Sequence, residues 1–391
     1  MSRPYRNQRC SKGILKKMEP IKFRFLASVP DPTKTEIYYL PLVDWNTYDR
    51  LMVGSAFYSS IIPQKRFEYL FIPQYSFGAK SLAGNAEMAY NWFPIKGKIQ
   101  IIKLSTSVAQ YSYVSDPGLM RYQKVAPELN ITFKNQTPRN GIIQSVSLRS
   151  ITIFKEKETA FVPYRYCFDC AEYTIGEVNY TLQNKRAINP YSAKLTTEFG
   201  KGFSKQFIEL KYKISYAKRK KGVEFRSFTG FFFDNSGSDL PPINLSGPDG
   251  ARDYKFDESF IGRSETEGKW SRQFSVKEGG FKSETFYGVT DKWLSTFNVK
   301  VAFPSFLPIG VFADAGTFSE AKSILKSQVL YDAGAYISIG EELFEIYFPV
   351  FFSNEVKQVH EFRDIGFKEK IRFVINLNFI NPLEIGKNIS F

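Results

Sequence analysis

The chain has 391 residues and a net charge of +14, from 53 Lys and Arg against 39 acids, with one His and three Cys. A hydrophobic content of 43% excludes a disordered chain, and a single histidine excludes an H-E-x-x-H zinc site, which needs two. A Ser-His-Asp triad would have to recruit His360, so no catalytic site and no cofactor is expected.

In chain order, residues 1–35 are basic and contain Pro but no apolar h-region, so they read as a linker or N-terminal extension rather than a signal peptide. No apolar stretch approaches the roughly 18 residues of a transmembrane helix. From residue 36, period-2 alternation recurs in segment after segment. Strands are expected at 36–42, 49–57, 66–77, 82–92, 98–112, 121–134, 141–154, 169–183, 189–200, 204–216 and 222–233, and again at 292–303, 308–316, 327–338, 343–351 and 369–380. The pattern is clearest after Phe207: Ile208, Leu210, Tyr212, Ile214 and Tyr216 share one face, and Glu209, Lys211, Lys213 and Ser215 the other. In 169–183 the apolar phase slips between Ile175 and Val178.

The better segments reach the roughly 9 to 11 residues that a tilted strand needs to cross a bilayer, against roughly 5 to 6 in soluble sheets. With Phe and Tyr placed near strand ends, the fold class expected is an all-β antiparallel transmembrane barrel of about sixteen strands over 36–380, followed by a tail at 381–391. A large soluble β-sandwich or propeller also alternates and is the competing fold. Connections 217–221, 304–307 and 340–342 are short, whereas 155–168, 234–291, 317–326 and 352–368 are long, as expected if the two kinds lie at opposite ends of the barrel.

Cys167 and Cys170 form C-x-x-C, but only Cys10 and His360 remain to complete four zinc ligands, so a local disulfide or two idle thiols is the better reading. His360 reads as a loop histidine. The run Lys218-Arg219-Lys220-Lys221 falls in a short turn, and a solvated tip or a lipid-headgroup contact explains it better than nucleic acid. The acids Asp253, Asp257, Glu258, Glu265 and Glu267 of the long loop show no spacing that selects a glycosidase pair, although a soluble carbohydrate-active or binding protein remains the reading from another class.

The long connection contains Phe260-Ile261-Gly262-Arg263, and two strands later comes Val311-Phe312-Ala313-Asp314-Ala315-Gly316. These strings resemble the sixteen-stranded superfamily of outer-membrane assembly factors and two-partner secretion transporters. There, a Val/Ile-Arg-Gly-Phe loop tip folds into the lumen and pairs with the Asp of a Phe-x-Asp-x-Gly strand. Phe312, Asp314 and Gly316 match in full, whereas Ile261, Gly262 and Arg263 invert the Arg-Gly order. The resemblance implies a lumenal 234–291 loop locked by an Arg263–Asp314 pair.

A second resemblance rests on Tyr48-Asp49-Arg50-Leu51-Met52-Val53-Gly54, Phe67-Glu68-Tyr69-Leu70, Tyr75-Ser76-Phe77-Gly78, Gly262-Arg263-Ser264-Glu265, Glu278-Gly279-Gly280-Phe281 and Ile346-Tyr347-Phe348-Pro349-Val350. They look like the C-terminal barrel region of gluzincin-type, aminopeptidase N-like zinc metallopeptidases of Gram-negative bacteria, whose zinc helix this chain lacks. That resemblance implies a non-catalytic outer-membrane barrel, in contact with outer-membrane lipid and serving a periplasmic peptidase domain or a polypeptide substrate. The missing export signal would then belong to a longer polypeptide of which this chain is a part, or to an alternative start.

Overall fold

The computed structural model describes residues 20–26, 34–59, 65–114, 119–135, 141–156, 172–216, 221–237, 240–340 and 343–376. Cys10, Cys167, Cys170 and Lys218-Arg219-Lys220 lie outside these residues, as do 377–391. The alternating sequence forms β1 (Ile21–Phe25), β2 (Thr35–Asn46), β3 (Arg50–Tyr58), β4 (Phe67–Ser76), β5 (Ser81–Trp92), β6 (Ile99–Val114), β7 (Met120–Phe133), β8 (Ile142–Lys155), β9 (Glu172–Asn184), β10 (Tyr191–Gly200), β11 (Phe203–Ser215) and β12 (Gly222–Asp234). Two short strands, β13 (Ile243–Asn244) and β14 (Val289–Thr290), pair only with each other. The remainder are β15 (Trp293–Ala302), β16 (Ile309–Phe318), β17 (Leu330–Ile339), β18 (Phe344–Phe352) and β19 (Arg372–Ile375), with helices α1 (Ala321–Ile324), α2 (Asn354–Phe362) and α3 (Phe367–Lys370) in the connections.

Each of the sixteen expected strands corresponds to one strand of a single large sheet, in which β2 to β12 and then β15 to β19 pair antiparallel with their sequence neighbours. Several strand ends shift by two to four residues, as at β2, which runs to Asn46 rather than residue 42, and two differences concern the ends of the sheet. The extension before residue 36 contributes β1, which lies parallel along β2 with Ile21 opposite Thr35. The last strand begins at Arg372, because 367–370 turn into α3.

The distribution of polarity is the reverse of a soluble protein's. Phe71, Leu82, Met88, Leu104, Leu148, Leu210 and Phe297 are exposed on the outer face, while Glu68, Lys124, Glu177, Glu198, Lys205, Arg226, Asp314 and Glu345 are buried on the inner one. Buried charges are tolerated only when paired and hydrogen-bonded, so the interior has to be filled with partners for them.

The phase slip at Ile175 has the same origin. Tyr173 and Ile175 point inward with Glu177, and they pack on Phe256 of the 235–292 connection. Apolar residues therefore occupy the inner face wherever that connection brings an apolar side chain.

The strand ends that lead into the long connections 156–171, 235–292, 319–329 and 353–371 share one end of the sheet as expected, but the tight turns 47–49, 77–80 and 201–202 are at that same end. The first of them is made by Asn46, whose Oδ1 accepts the N–H groups of Tyr48 and Asp49. Fully buried, Asp49 then ties the first strands together there, accepting from Ser76 Oγ at 3.0 Å and from the Ser112 hydroxyl and N–H at 2.8 and 2.9 Å.

Candidate interior plug and its ion pairs

Residues 235–292 are wrapped by the sheet, since side chains from β7 to β12, from β15 to β17 and from β19 all reach them. Three apolar anchors set their path. Phe256 packs between Tyr122 and Ile175; Ile243, Leu245 and Phe281 pack on Phe228, Leu294 and Leu330; and Phe274 packs on Phe312, Tyr336 and Tyr347. The backbone is also tied to the sheet: Phe274 donates its N–H to Phe373 O at 2.9 Å, and Phe373 donates to Arg272 O at 3.2 Å. Because Asn376 donates toward β18, these bonds use the other edge of β19.

Between these anchors the registers align Arg226 with Asn298, Asn298 with Asp314, and Asp314 with Asp332, forming an inward polar row across β12, β15, β16 and β17. Lys282 of the plug lies on this row. Its Nζ donates to Asp314 Oδ1 at 3.0 Å, to Oδ2 at 3.1 Å and to Gly280 O at 2.7 Å, and its own N–H reaches Oδ2 at 3.2 Å. Asn298 Nδ2 donates to Asp314 Oδ1 at 2.9 Å, and Ser283 N–H donates to Asp332 Oδ2 at 2.7 Å. Both charged side chains are removed from water and multiply hydrogen-bonded, the condition under which a buried pair holds its geometry.

Glycine is required twice here. Gly280 has φ +68° with Arg226 Nη1 where a Cβ would press, and a Cβ on Gly316 would lie 2.6 Å from Leu245 Cδ2. Phe312 completes the strand motif, with its ring 5.7 Å from Lys282 Nζ and edge-on to Tyr347.

The cation expected for Asp314 was Arg263, and the structure corrects this. Arg263 Nη2 donates to Asp253 Oδ2 and to Asp253 O at 3.2 Å each, and its guanidinium carbon sits 4.4 Å above the Phe256 ring. Its backbone N–H donates to Tyr48 Oη at 3.0 Å, and Ile261 O accepts from Thr47 N–H at 2.8 Å. Ile261, Gly262 and Arg263 therefore dock against the first tight turn, while Phe312, Asp314 and Gly316 hold the 279–283 stretch. Lys282 escaped sequence reading although Gly279-Gly280-Phe281-Lys282 carries glycine, phenylalanine and a cation within four residues.

Two further ion-pair groups fasten the plug to β7–β10. Asp257 accepts from Arg149 in bidentate fashion at 2.7 and 2.9 Å and also pairs with Lys124. Burial opposes its charge, yet Lys124 and Arg149 hold its carboxyl well below the usual carboxylate range. Lys255 Nζ pairs with Glu177 and Glu198 at 2.7 Å each, and although burial disfavours its charge, the two carboxylates hold it well above the ordinary lysine value.

At the last strand, Arg372 pairs with Glu265 at 2.9 Å, and Arg252 bridges Asp249 at 3.1 Å and Glu284 at 2.9 Å. Burial pushes the Glu265 carboxyl up to about 7; Arg372 opposes this, and Glu284 and Asp249 add to it. A carboxyl with a raised folded pKa binds its proton preferentially in the folded state. Its stabilising contribution is therefore full below the unfolded value near 4.5 and is lost as pH rises to about 7. Docking of the plug is expected to be tighter at about pH 5.5 than at about pH 8, by on the order of 2 kcal/mol. Limited proteolysis of 235–292 against pH checks this, with Glu265→Gln flattening the profile; equal protection at both pH values would refute it.

His360 is not a loop residue but lies buried on α2, with Nε2 3.1 Å from Glu284 O and its ring edge-on to Phe352 and Phe286. Burial lowers its pKa. Among the described residues, no group of three or more His, Cys, Asp or Glu is placed to hold a metal ion.

No protein-family model and no curated protein matches the chain. Among solved structures it is similar to BamA from Haemophilus ducreyi lacking POTRA domains 1-3, with 10% identity, coverage of 82% of this chain and 67% of that one, and a TM-score of 0.44. It is also similar to CdiB from Acinetobacter baumannii, with 11% identity, coverage of 81% and 57%, and a TM-score of 0.38. The chain thus spans about two thirds of the first and just over half of the second. Neither of these two structures is described as a zinc aminopeptidase. The architecture rests on the strand order and registers given above.

Proposed function

We propose that the chain is a non-catalytic outer-membrane β-barrel of the assembly-factor or transport kind, gated by its own 235–292 plug. One observation carries this reading: an outward apolar face surrounds an inward charged one whose partners are supplied by the plug. A soluble sandwich would bury the apolar face and hydrate the charged one. The strands agree, with β3 at 9 residues and β6 at 16, long enough to cross the hydrocarbon region when tilted. Outer-membrane lipid is the partner of the outer face, and a polypeptide is the passenger or client that the gated interior would serve. The role of anchor to a periplasmic aminopeptidase has only string resemblance behind it and ranks below this reading.

Membrane fractionation with heat-modifiability on a gel tests the proposal. A compact species in the outer-membrane fraction that shifts only on boiling is expected. A chain that stays in solution without detergent would overturn it.

A further inference from the structure

Below the plug, at the end of the sheet where 185–190 join β9 to β10 and β11 ends, lies a cavity of about 800 Å³, at the upper end of the range of ligand pockets. Its wall is built by alternation. Lys211 and Lys213 point inward from β11, and the registers set Lys211 beside Arg226 on β12, Lys213 beside Glu224, and Glu224 beside Lys300 on β15. Arg186 stands at the rim.

Carboxylates are too few to balance this wall. Glu209 serves both Arg226, at 2.7 Å, and Lys211, at 3.0 Å, and the Lys211 side chain keeps half its surface open. Glu224 serves Lys213 at 2.8 Å, and Glu345 serves Lys300 at 2.8 Å. Arg186 is held by a carbonyl, Asn189 O at 2.6 Å, and by the Tyr191 ring. A concave wall with an excess of positive charge and low-dielectric sides focuses its field on the space it encloses and concentrates anions there.

We propose that this vestibule binds an acidic, extended segment of polypeptide. The proposal rests on the barrel reading above and names the chemistry of its client. The spacing argues for a peptide over a single anion. Lys211 and Lys213 are two residues apart on one strand, roughly 6.6–6.8 Å, which is the repeat of alternate side chains on an extended chain. A peptide with Asp or Glu at every second position presents its carboxylates at that interval. The wall faces the interior of the sheet, so lipid headgroups outside do not compete for it.

The test uses the full chain in detergent and a fluorescein-labelled alternating Asp-Ser peptide, with an Asn-Ser peptide of equal length as reference. The acidic peptide is expected to bind at least about tenfold more tightly than the neutral one, to lose that advantage as salt is raised, and to weaken about tenfold in Lys211→Gln/Lys213→Gln. Heat-modifiability of the variant shows that its barrel is intact, and Arg186→Gln, at the rim and outside the strands, gives a second variant expected to weaken binding severalfold. Binding unchanged in both variants, or displacement of the peptide by inorganic phosphate at equal concentration, would overturn the proposal. Peptide binding by a chain that fails to fractionate with membranes would instead refute the barrel reading and leave the vestibule standing.

Discussion

Asp314→Ala is expected to release the 279–283 stretch to protease and to destabilise the fold by roughly 3–5 kcal/mol, because it strands the buried Lys282 ammonium. Lys282→Ala is expected to cost a similar amount by removing the cation from the carboxylate, which keeps the neutral partners Asn298 and a backbone N–H beside Asp332. The two together should cost far less than their sum, as residues of one network do. Arg263→Ala serves as the comparison. Its side chain pairs with Asp253, so its effect should add to that of Asp314→Ala. Urea unfolding in detergent, followed by circular dichroism, measures these four variants and the Arg263→Ala/Asp314→Ala double. Strong coupling between Arg263 and Asp314, with none between Lys282 and Asp314, would restore the pairing first expected.

Asp257→Ala should be comparably severe, again roughly 3–5 kcal/mol, since it removes one carboxylate from two cations, Lys124 on β7 and Arg149 on β8. Asp257→Asn keeps the shape but not the charge and should recover little. Lys124→Met combined with Asp257→Ala should be milder than Asp257→Ala alone, because one stranded ammonium has been removed. If Asp257→Ala unfolds at the wild-type urea concentration, the plug is not held by this group.

What could be read in the sequence follows from how local each determinant is. Strand identity is local: Ile208 to Tyr216 alternate, and the alternation alone fixes which face of β11 meets the interior. The Phe312, Asp314 and Gly316 triplet was legible only through its resemblance to a Phe-x-Asp-x-Gly strand; the structure sets the three at buried positions two apart on β16. Partner choice is not local. Arg263 and Lys282 are both cations in one irregular connection, and which of them meets Asp314 depends on where Phe256, Phe274 and Phe281 anchor its path. β1 escaped because five residues with Lys22 and Arg24 inside a basic extension look like linker. Only its pairing with β2 and the Arg24–Glu36 bridge at 3.0 Å identify it. His360 was misplaced because Val356 and His360, four apart, are the only buried positions of α2, too short a stripe to announce a helix.

The pairing of residues 272–274 with the outer edge of β19 bears on how the molecule is made. Among the described residues, the last strand has β18 on one edge, and Phe274 and Arg272 of the seated plug supply backbone partners on the other. The plug itself needs Lys124, Arg149, Glu177 and Glu198, which emerge earlier in the chain, and Asp314 and Arg372, which emerge later. The connection therefore acts as a mandrel around which the two halves of the sheet are wound, rather than a cork pushed into a finished cylinder. Contacts this distant in sequence make for slow closure, and a chain shortened between β12 and β15 would lose the form on which its final strand is laid.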